Sequence, residues 1–113
     1  MKTFIKIKTQ FEFIHCWKEA PKEVEFLRAP HRHDFLVTCQ IEVFHNDREL
    51  EFFIVLHNLE NYINSVLVKS DVTTSCEQFA VMIFEFLSKT YGNNRKIIVE
   101  VSEDGKSSAV VEE

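Results

Sequence analysis

Three histidines have the residue type and spacing of a metal site. His31 and His33 are separated by one residue, and on a β-strand that spacing sends both imidazoles to the same side. His15 ends an earlier alternating run and continues its apolar face. Three neutral imidazoles suit Zn(II), which in catalytic sites keeps a fourth position open for water or substrate. We therefore predict a zinc site at His15, His31 and His33; the alternative is that His31 and His33 are loop-edge residues beside Pro30.

Glu103 is a fourth polar side chain on an apolar strand face, because it follows Val99 and Val101 at a spacing of two. If the strands that carry the histidines and Glu103 lie together, their polar groups converge at one rim of the core. Burying such groups without a function would cost several kcal/mol in desolvation. The alternative is that Glu103 is a solvated residue that precedes a turn.

The first half of the chain supplies the strands that position the histidines. Alternation predicts long half-buried strands over Thr3–His15 and from His31 to Val43, separated by a loop over 17–30. His45-Asn46-Asp47 is typical of a turn, and Glu49 to Val55 then predicts a short returning strand that forms a hairpin.

The second half changes period. Apolar residues recur at helical spacing from Leu56 to Val68. Thr74 and Glu77 form a T-x-x-E capping box for a second helix, and Gly92 is a reasonable stop. Two alternating runs around a turn follow, Ile97 to Glu103 and Ser107 to Val111. This order predicts one α+β domain over residues 1–113, with two helices packed on one face of an antiparallel sheet.

Composition limits the partners and the compartment. The formal net charge of the 113 residues is -5 and no stripe of Lys or Arg occurs, so phosphate-driven binding to nucleic acid is disfavoured. No apolar run reaches the length of a membrane span. The three cysteines form no CxxC pair, so neither a disulfide framework nor a cysteine-based zinc site is indicated. We expect a cytoplasmic protein that binds neither nucleic acid nor membrane.

Four segments in sequence order give the chain a family resemblance. The chain resembles the 6-pyruvoyl tetrahydropterin synthase and 6-carboxytetrahydropterin synthase (QueD) family, whose first strand ends in F-x-x-x-H and whose second strand opens with H-G-H. The matching segments are Phe11-Glu-Phe-Ile-His15, His31-Arg32-His33, Thr74-Ser75-Cys76-Glu77-Gln78-Phe79-Ala80, and Glu103 with Asp104-Gly105.

The resemblance implies a T-fold (tunnelling fold), an antiparallel sheet with two helices on one face, assembled into a trimeric or hexameric ring. It further implies that His15, His31 and His33 hold zinc and that Glu103 anchors the 2-amino-4-oxo edge of a pterin at a subunit interface. The outer strand edges, Thr3 to Gln10 and Ser107 to Val111, are long enough to pair with neighbouring subunits.

The chain departs from the family at the groups that transfer protons. Leu27 stands where the family has a cysteine base, and the Asp-His pair between the helices is missing. Cys76, in the first turn of the second helix, could serve if the helix dipole lowers the pKa of its thiol; the alternative is a small buried residue. His57 could reach the rim or be a surface residue, and strand alternation predicts that Cys16 points away from His15. The functional hypotheses are a zinc-dependent lyase of altered chemistry, and a non-catalytic ligand-binding or scaffold protein.

Overall fold

A computed structural model describes residues 1–92 and 94–113 as one four-stranded antiparallel sheet with helices inserted between the second and third strands. The strands are β1 (Thr3–His15), β2 (His31–Val43), β3 (Ile97–Glu103) and β4 (Ser107–Glu112), and the α-helices are α1 (Phe52–Ser65) and α2 (Cys76–Tyr91). Short 3-10 helices occupy Lys22–Arg28 and Leu67–Lys69. The strand order β1-β2-β3-β4 leaves β1 and β4 as the outer strands.

One face of this sheet forms the core. Because side chains alternate across a strand, Phe35, Val37, Cys39 and Ile41 of β2 all point to the helical side, and each is at most 1% exposed. The helices complete the core from above: α1 contacts β1, and α2 contacts β3 and β4. The α+β class with an antiparallel sheet, predicted from the sequence, is confirmed.

The predicted hairpin strand over Glu49 to Val55 is wrong, because α1 begins within it at Phe52. The Glu51 carboxylate accepts hydrogen bonds from the backbone N–H groups of Phe53 and Ile54, which satisfies two otherwise unpaired donors at the helix start. The aromatic and β-branched run 52–55 favours a strand locally, but this cap and the burial of Val55 stabilise the helix.

The capping box of α2 lies one residue later than predicted. Ser75 accepts from the N–H of Gln78 at 3.1 Å, and the Gln78 side chain accepts from the N–H of Ser75 at 2.8 Å. The predicted cap residue, Thr74, instead donates its hydroxyl to the carbonyl of Asp71. This shift leaves the carbonyl of Thr74 free to face β1.

No helix in the ranges 1–92 and 94–113 is long and apolar enough to cross a membrane.

Candidate metal centre

The three histidines come together where β1 ends and β2 begins. His15 and His31 are directly opposite each other in the β1–β2 ladder, and His33 lies opposite Phe13, one pleat further in. His31 and His33 share the core-facing side of β2, as the spacing of two requires. The register of the two strands therefore brings together the residues that the sequence proposed as ligands.

The geometry of this cluster is that of a group able to hold a metal ion. One ring nitrogen from each of the three histidines lies within 4.8 Å of those of the others. The imidazole centroids are 4.6 Å apart for His15 and His31, 5.0 Å for His31 and His33, and 5.3 Å for His15 and His33. His15 is 8% exposed, and the other two are half-buried.

The Nδ1 atom of each imidazole lies within hydrogen-bond distance of an oxygen that can only accept. Nδ1 of His15 lies 2.8 Å from the carbonyl oxygen of Thr74, and Nδ1 of His31 lies 2.9 Å from that of Ala29. Nδ1 of His33 lies 2.6 Å from a carboxylate oxygen of Asp104. A hydrogen bond in each case requires the proton on Nδ1, which in the neutral ring leaves the Nε2 lone pair free. Such outer partners fix the tautomer and orientation of metal-binding histidines.

Glu103 lies beside this cluster, on the core-facing side of β3 with Val99 and Val101. Its carboxylate oxygen is 3.6 Å from Nε2 of His15, and its side chain is 30% exposed. A lone pair and a carboxylate oxygen this close repel each other unless a proton or a cation lies near both. The charge and donor set of this corner therefore fit a bound cation.

A cavity of about 440 Å³ opens over the cluster. Its polar lining includes the three histidines and Glu103, and its apolar lining includes Trp17 and Leu27. A concave site with apolar walls and a few convergent polar groups is the usual form of a small-molecule site. A smaller cavity of about 310 Å³, lined by Glu103, Cys76 and Ser107–Ala109, adjoins it and reaches the outer strand β4.

Cys16, which strand alternation predicts to point away from His15, lines the same cavity as His15. β1 ends at His15, so strand alternation no longer applies one residue later. The N–H of Cys16 instead donates to the carbonyl of Val72 at 2.8 Å, and the residue is 6% exposed. Leu27 lines the cavity as well.

Cys76 also lines the cavity, but it is not the activated thiol that a helix N-terminus could produce. Burial, followed by the neighbouring Glu103 carboxylate, raises the pKa of the Cys76 thiol to about 11. Its sulfur donates to the carbonyl of Val101 at 3.0 Å. Cys76 is therefore a protonated, buried thiol at neutral pH, which agrees with the alternative of a small buried residue.

His57 lies elsewhere. It is exposed on α1, and its Nε2 atom is 3.1 Å from the side-chain amide nitrogen of Asn61. Among the described residues that line the cavity, His57 does not occur. Its helical position, one turn after Phe53, points it to solvent, which agrees with the surface alternative rather than with a role at the rim.

Sequence reasoning missed the residues that orient the histidines. Asp104 accepts from His33 and, through its other oxygen, from the N–H of Asp34 at 2.8 Å. These two hydrogen bonds, that from Asp34 first, lower the pKa of the Asp104 carboxyl. The sequence could have indicated Asp104, because it directly follows Glu103 and therefore lies at the same end of the sheet as the histidines. The carbonyls of Thr74 and Ala29 carried no such signal, because any residue type supplies a carbonyl.

Comparisons with known proteins add no family to this description. A scan against models of known protein families finds no match for the chain, and a search of the curated proteins finds none either.

Proposed function

We propose that this chain is a zinc-binding T-fold protein of the pterin-synthase type that acts on or binds a pterin- or purine-like heterocycle. The observation that carries the proposal is the convergence of one ring nitrogen from each of three histidines beside the Glu103 carboxylate, in the lining of one cavity. The family resemblance of the four motif segments adds the ligand class. A cytoplasmic location without nucleic-acid or membrane partners stays a prediction of the sequence.

Zinc is the metal that the donor set favours. Three neutral imidazoles lie close together, and each is oriented by an oxygen acceptor. This arrangement is typical of zinc sites that keep one coordination position open. His15, His31 and His33 would hold the ion. When bound, zinc supplies a Lewis acid that polarises a carbonyl or hydroxyl oxygen of a substrate.

Glu103 would bind the heterocycle. A carboxylate that faces adjacent N–H and NH₂ groups accepts two parallel hydrogen bonds, which select a 2-amino-4-oxo ring edge over rings that lack those donors. Glu103 is half-buried and lies between the histidine cavity and the smaller cavity toward β4. A ring held there would extend its side chain over the histidines.

Proton transfer is where this chain would differ from the family. General acid–base chemistry needs a titratable group within reach of the reacting proton. Cys16 and Cys76 both line the cavity, and the Cys76 thiol is protonated at neutral pH, so Cys16 is the residue that would take the place of the family's cysteine. We propose an altered lyase reaction, rather than the complete 6-pyruvoyl or 6-carboxy synthase cycle.

The second candidate function is a non-catalytic binder that keeps the metal and Glu103 to hold a nucleotide-like ligand. It is supported by Leu27 in the base position and by the placement of His57 outside the cavity. In either case we propose a homo-oligomeric ring, because β1 and β4 are outer strands whose unpaired backbone groups are free to pair with a neighbouring copy.

Native mass spectrometry of protein purified without added metal or chelator tests the metal and the ring together. We expect one zinc per chain in a trimer or hexamer, and loss of that zinc in His31→Ala. His45→Ala is the matched control, because His45 is exposed at the opposite end of β2. A wild type that holds no zinc as purified and takes up none when excess zinc is then added would contradict the site.

Turnover of dihydroneopterin triphosphate separates the enzyme from the binder. We expect binding of dihydroneopterin triphosphate to be lost in Glu103→Gln, because the NH₂ group of the glutamine amide would face one of the two donors of the ring. Glu100→Gln is the control, since Glu100 lies on the same strand but on the opposite face. Binding without turnover favours the second candidate, and equal binding by wild type and Glu103→Gln would contradict the role of Glu103.

A further inference from the structure

Trp17 is a side chain at the cavity to which neither the metal nor the ring edge gives a role. It is the single tryptophan of the chain, it is 51% exposed, and it lines the same cavity as the histidines and Glu103. A large, half-exposed aromatic surface gains free energy when a ligand or partner covers it. Its position beside convergent polar groups indicates a ligand with a flat apolar face and a polar edge.

The backbone around Trp17 is hydrogen-bonded within the segment 17–28. The N–H of Trp17 donates to the carbonyl of Leu27 at 2.7 Å, and its own carbonyl accepts from Ala20 at 3.1 Å. Ala20 is 1% exposed, and its carbonyl accepts from Nε of Arg28 at 2.7 Å. These hydrogen bonds restrict the backbone of the segment before a ligand binds. The segment therefore loses less conformational entropy on binding.

We propose that Trp17 is the stacking platform of this site, covering one face of a flat heteroaromatic ring whose polar edge bonds to Glu103. This inference rests on the proposed function and adds a specificity-determining residue to it. Leu27 lines the cavity near the same segment and extends the apolar wall. A planar bicyclic ring would bury more of the indole than an aliphatic ligand of the same polarity, so the site should select flat rings.

Binding of neopterin, measured by calorimetry, tests the platform directly. We expect Trp17→Ala to weaken neopterin affinity about tenfold, because stacking of one base on an aromatic side chain is worth roughly 1–3 kcal/mol. Trp17→Phe should retain most of the affinity. Trp17→Leu, which keeps apolar area but no flat ring, should behave like Trp17→Ala and carries the test if the alanine variant folds poorly.

Two controls distinguish this inference from the function on which it rests. Phe26→Ala removes an exposed aromatic ring of the same segment, 71% exposed and not among the cavity-lining residues, and should leave affinity unchanged. Zinc content should be the same in every Trp17 variant. Wild-type affinity in both Trp17→Ala and Trp17→Leu would overturn the platform alone, whereas a zinc-loaded wild type that binds no neopterin would overturn the proposed ligand class and the platform with it.

Quenching of tryptophan emission gives a second readout that a merely structural role would not produce. Because Trp17 is the single tryptophan, its emission should fall on neopterin addition in the wild type and in Phe26→Ala. In Glu103→Gln no quenching should occur at the same neopterin concentration. Quenching that persists in Glu103→Gln at wild-type affinity would place the ring elsewhere and overturn the proposal.

Discussion

The two ends of the β1–β2 ladder carry cavities of similar size but opposite chemistry. At the end where Thr3 pairs with Val43, a cavity of about 490 Å³ lies against the 45–52 segment. At the end where His15 pairs with His31, the cavity is about 440 Å³. Volume therefore does not distinguish the two ends; the partners of their polar groups do.

At the Thr3 end the charged groups satisfy one another. Arg95, whose side chain is 11% exposed, donates to the carbonyl of Glu42 and to the carboxylate of Glu49, both at 2.9 Å, and its guanidinium lies 4.8 Å from the Phe44 ring centroid. Glu49 also accepts from the N–H of Phe44 at 2.6 Å. These bonds fasten the chain between β2 and α1 and occupy the Glu49 carboxylate within the chain.

At the histidine end only one of the two nitrogens of each imidazole has a hydrogen-bond partner in the part of the chain that the structure describes. Nδ1 is bonded within the chain and Nε2 has no hydrogen-bond partner among the described residues; that of His15 lies 3.6 Å from the Glu103 carboxylate. A polar group that is fully bonded within its own chain contributes to stability, whereas several half-bonded groups that converge contribute to binding. The comparison predicts that substitutions at the two ends have separable effects.

Zinc should stabilise the protein through the histidine end. At a free zinc concentration one hundred times its Kd, linkage predicts about 2.7 kcal/mol, or roughly 10 °C in Tm for a chain of this size. Thermal melts with zinc and with chelator measure the difference. His31→Ala should show no such shift. A wild type whose Tm does not change with zinc would contradict the claim that the histidine end binds the metal.

Arg95→Met should lower stability without affecting the metal. It removes two hydrogen bonds and the contact with Phe44 while keeping the aliphatic stem, so we expect Tm to fall by roughly 5 °C. Arg48→Met is the control, since Arg48 is exposed and pairs with an exposed Asp47. A fall in zinc affinity in Arg95→Met, measured by titration, would mean that the two ends are coupled.

Asp104→Asn should weaken zinc binding about tenfold, because loss of an outer-shell partner typically costs 10–100-fold in metal affinity. Asparagine tolerates the φ of +58° at this position and can still accept from Asp34. Asp47→Asn makes the same chemical change at the other end and should leave zinc affinity unchanged. Equal affinities in the two variants would remove Asp104 from the site.

Glu49→Gln should show the smallest and most pH-dependent effect. The N–H of Phe44, followed by Arg95, lowers the pKa of Glu49 in the folded protein. Its stabilisation is therefore present above the unfolded pKa of about 4.3 and lost as pH falls through the lower folded value. The Tm difference between wild type and variant should be largest near neutral pH and vanish in acid; a difference independent of pH would contradict this assignment.

Alternation alone predicted β1, β2 and β3, and with them the face on which the histidines and Glu103 lie. The reason is local: the pleat fixes side-chain direction at every second residue, so parity can be read without knowing what the strand pairs with. The predicted ligand set is brought together because the register of β1 on β2 follows from matching their apolar faces. The metal itself, the ligand and the ring stay predictions.

The tertiary structure decided what lies beyond the strand ends. Cys16 lies in the cavity wall, where the chain leaves the sheet after His15 and the N–H of Cys16 donates to the carbonyl of Val72. The segment from Glu49 to Val55 has the composition of a strand, and a carboxylate cap together with core packing makes it enter a helix. The oxygens that orient the histidines come from segments up to 71 residues away in the chain, and two of the three are backbone carbonyls. Residue type carries no information about where a carbonyl will point, so that half of the site exists only once the chain is folded.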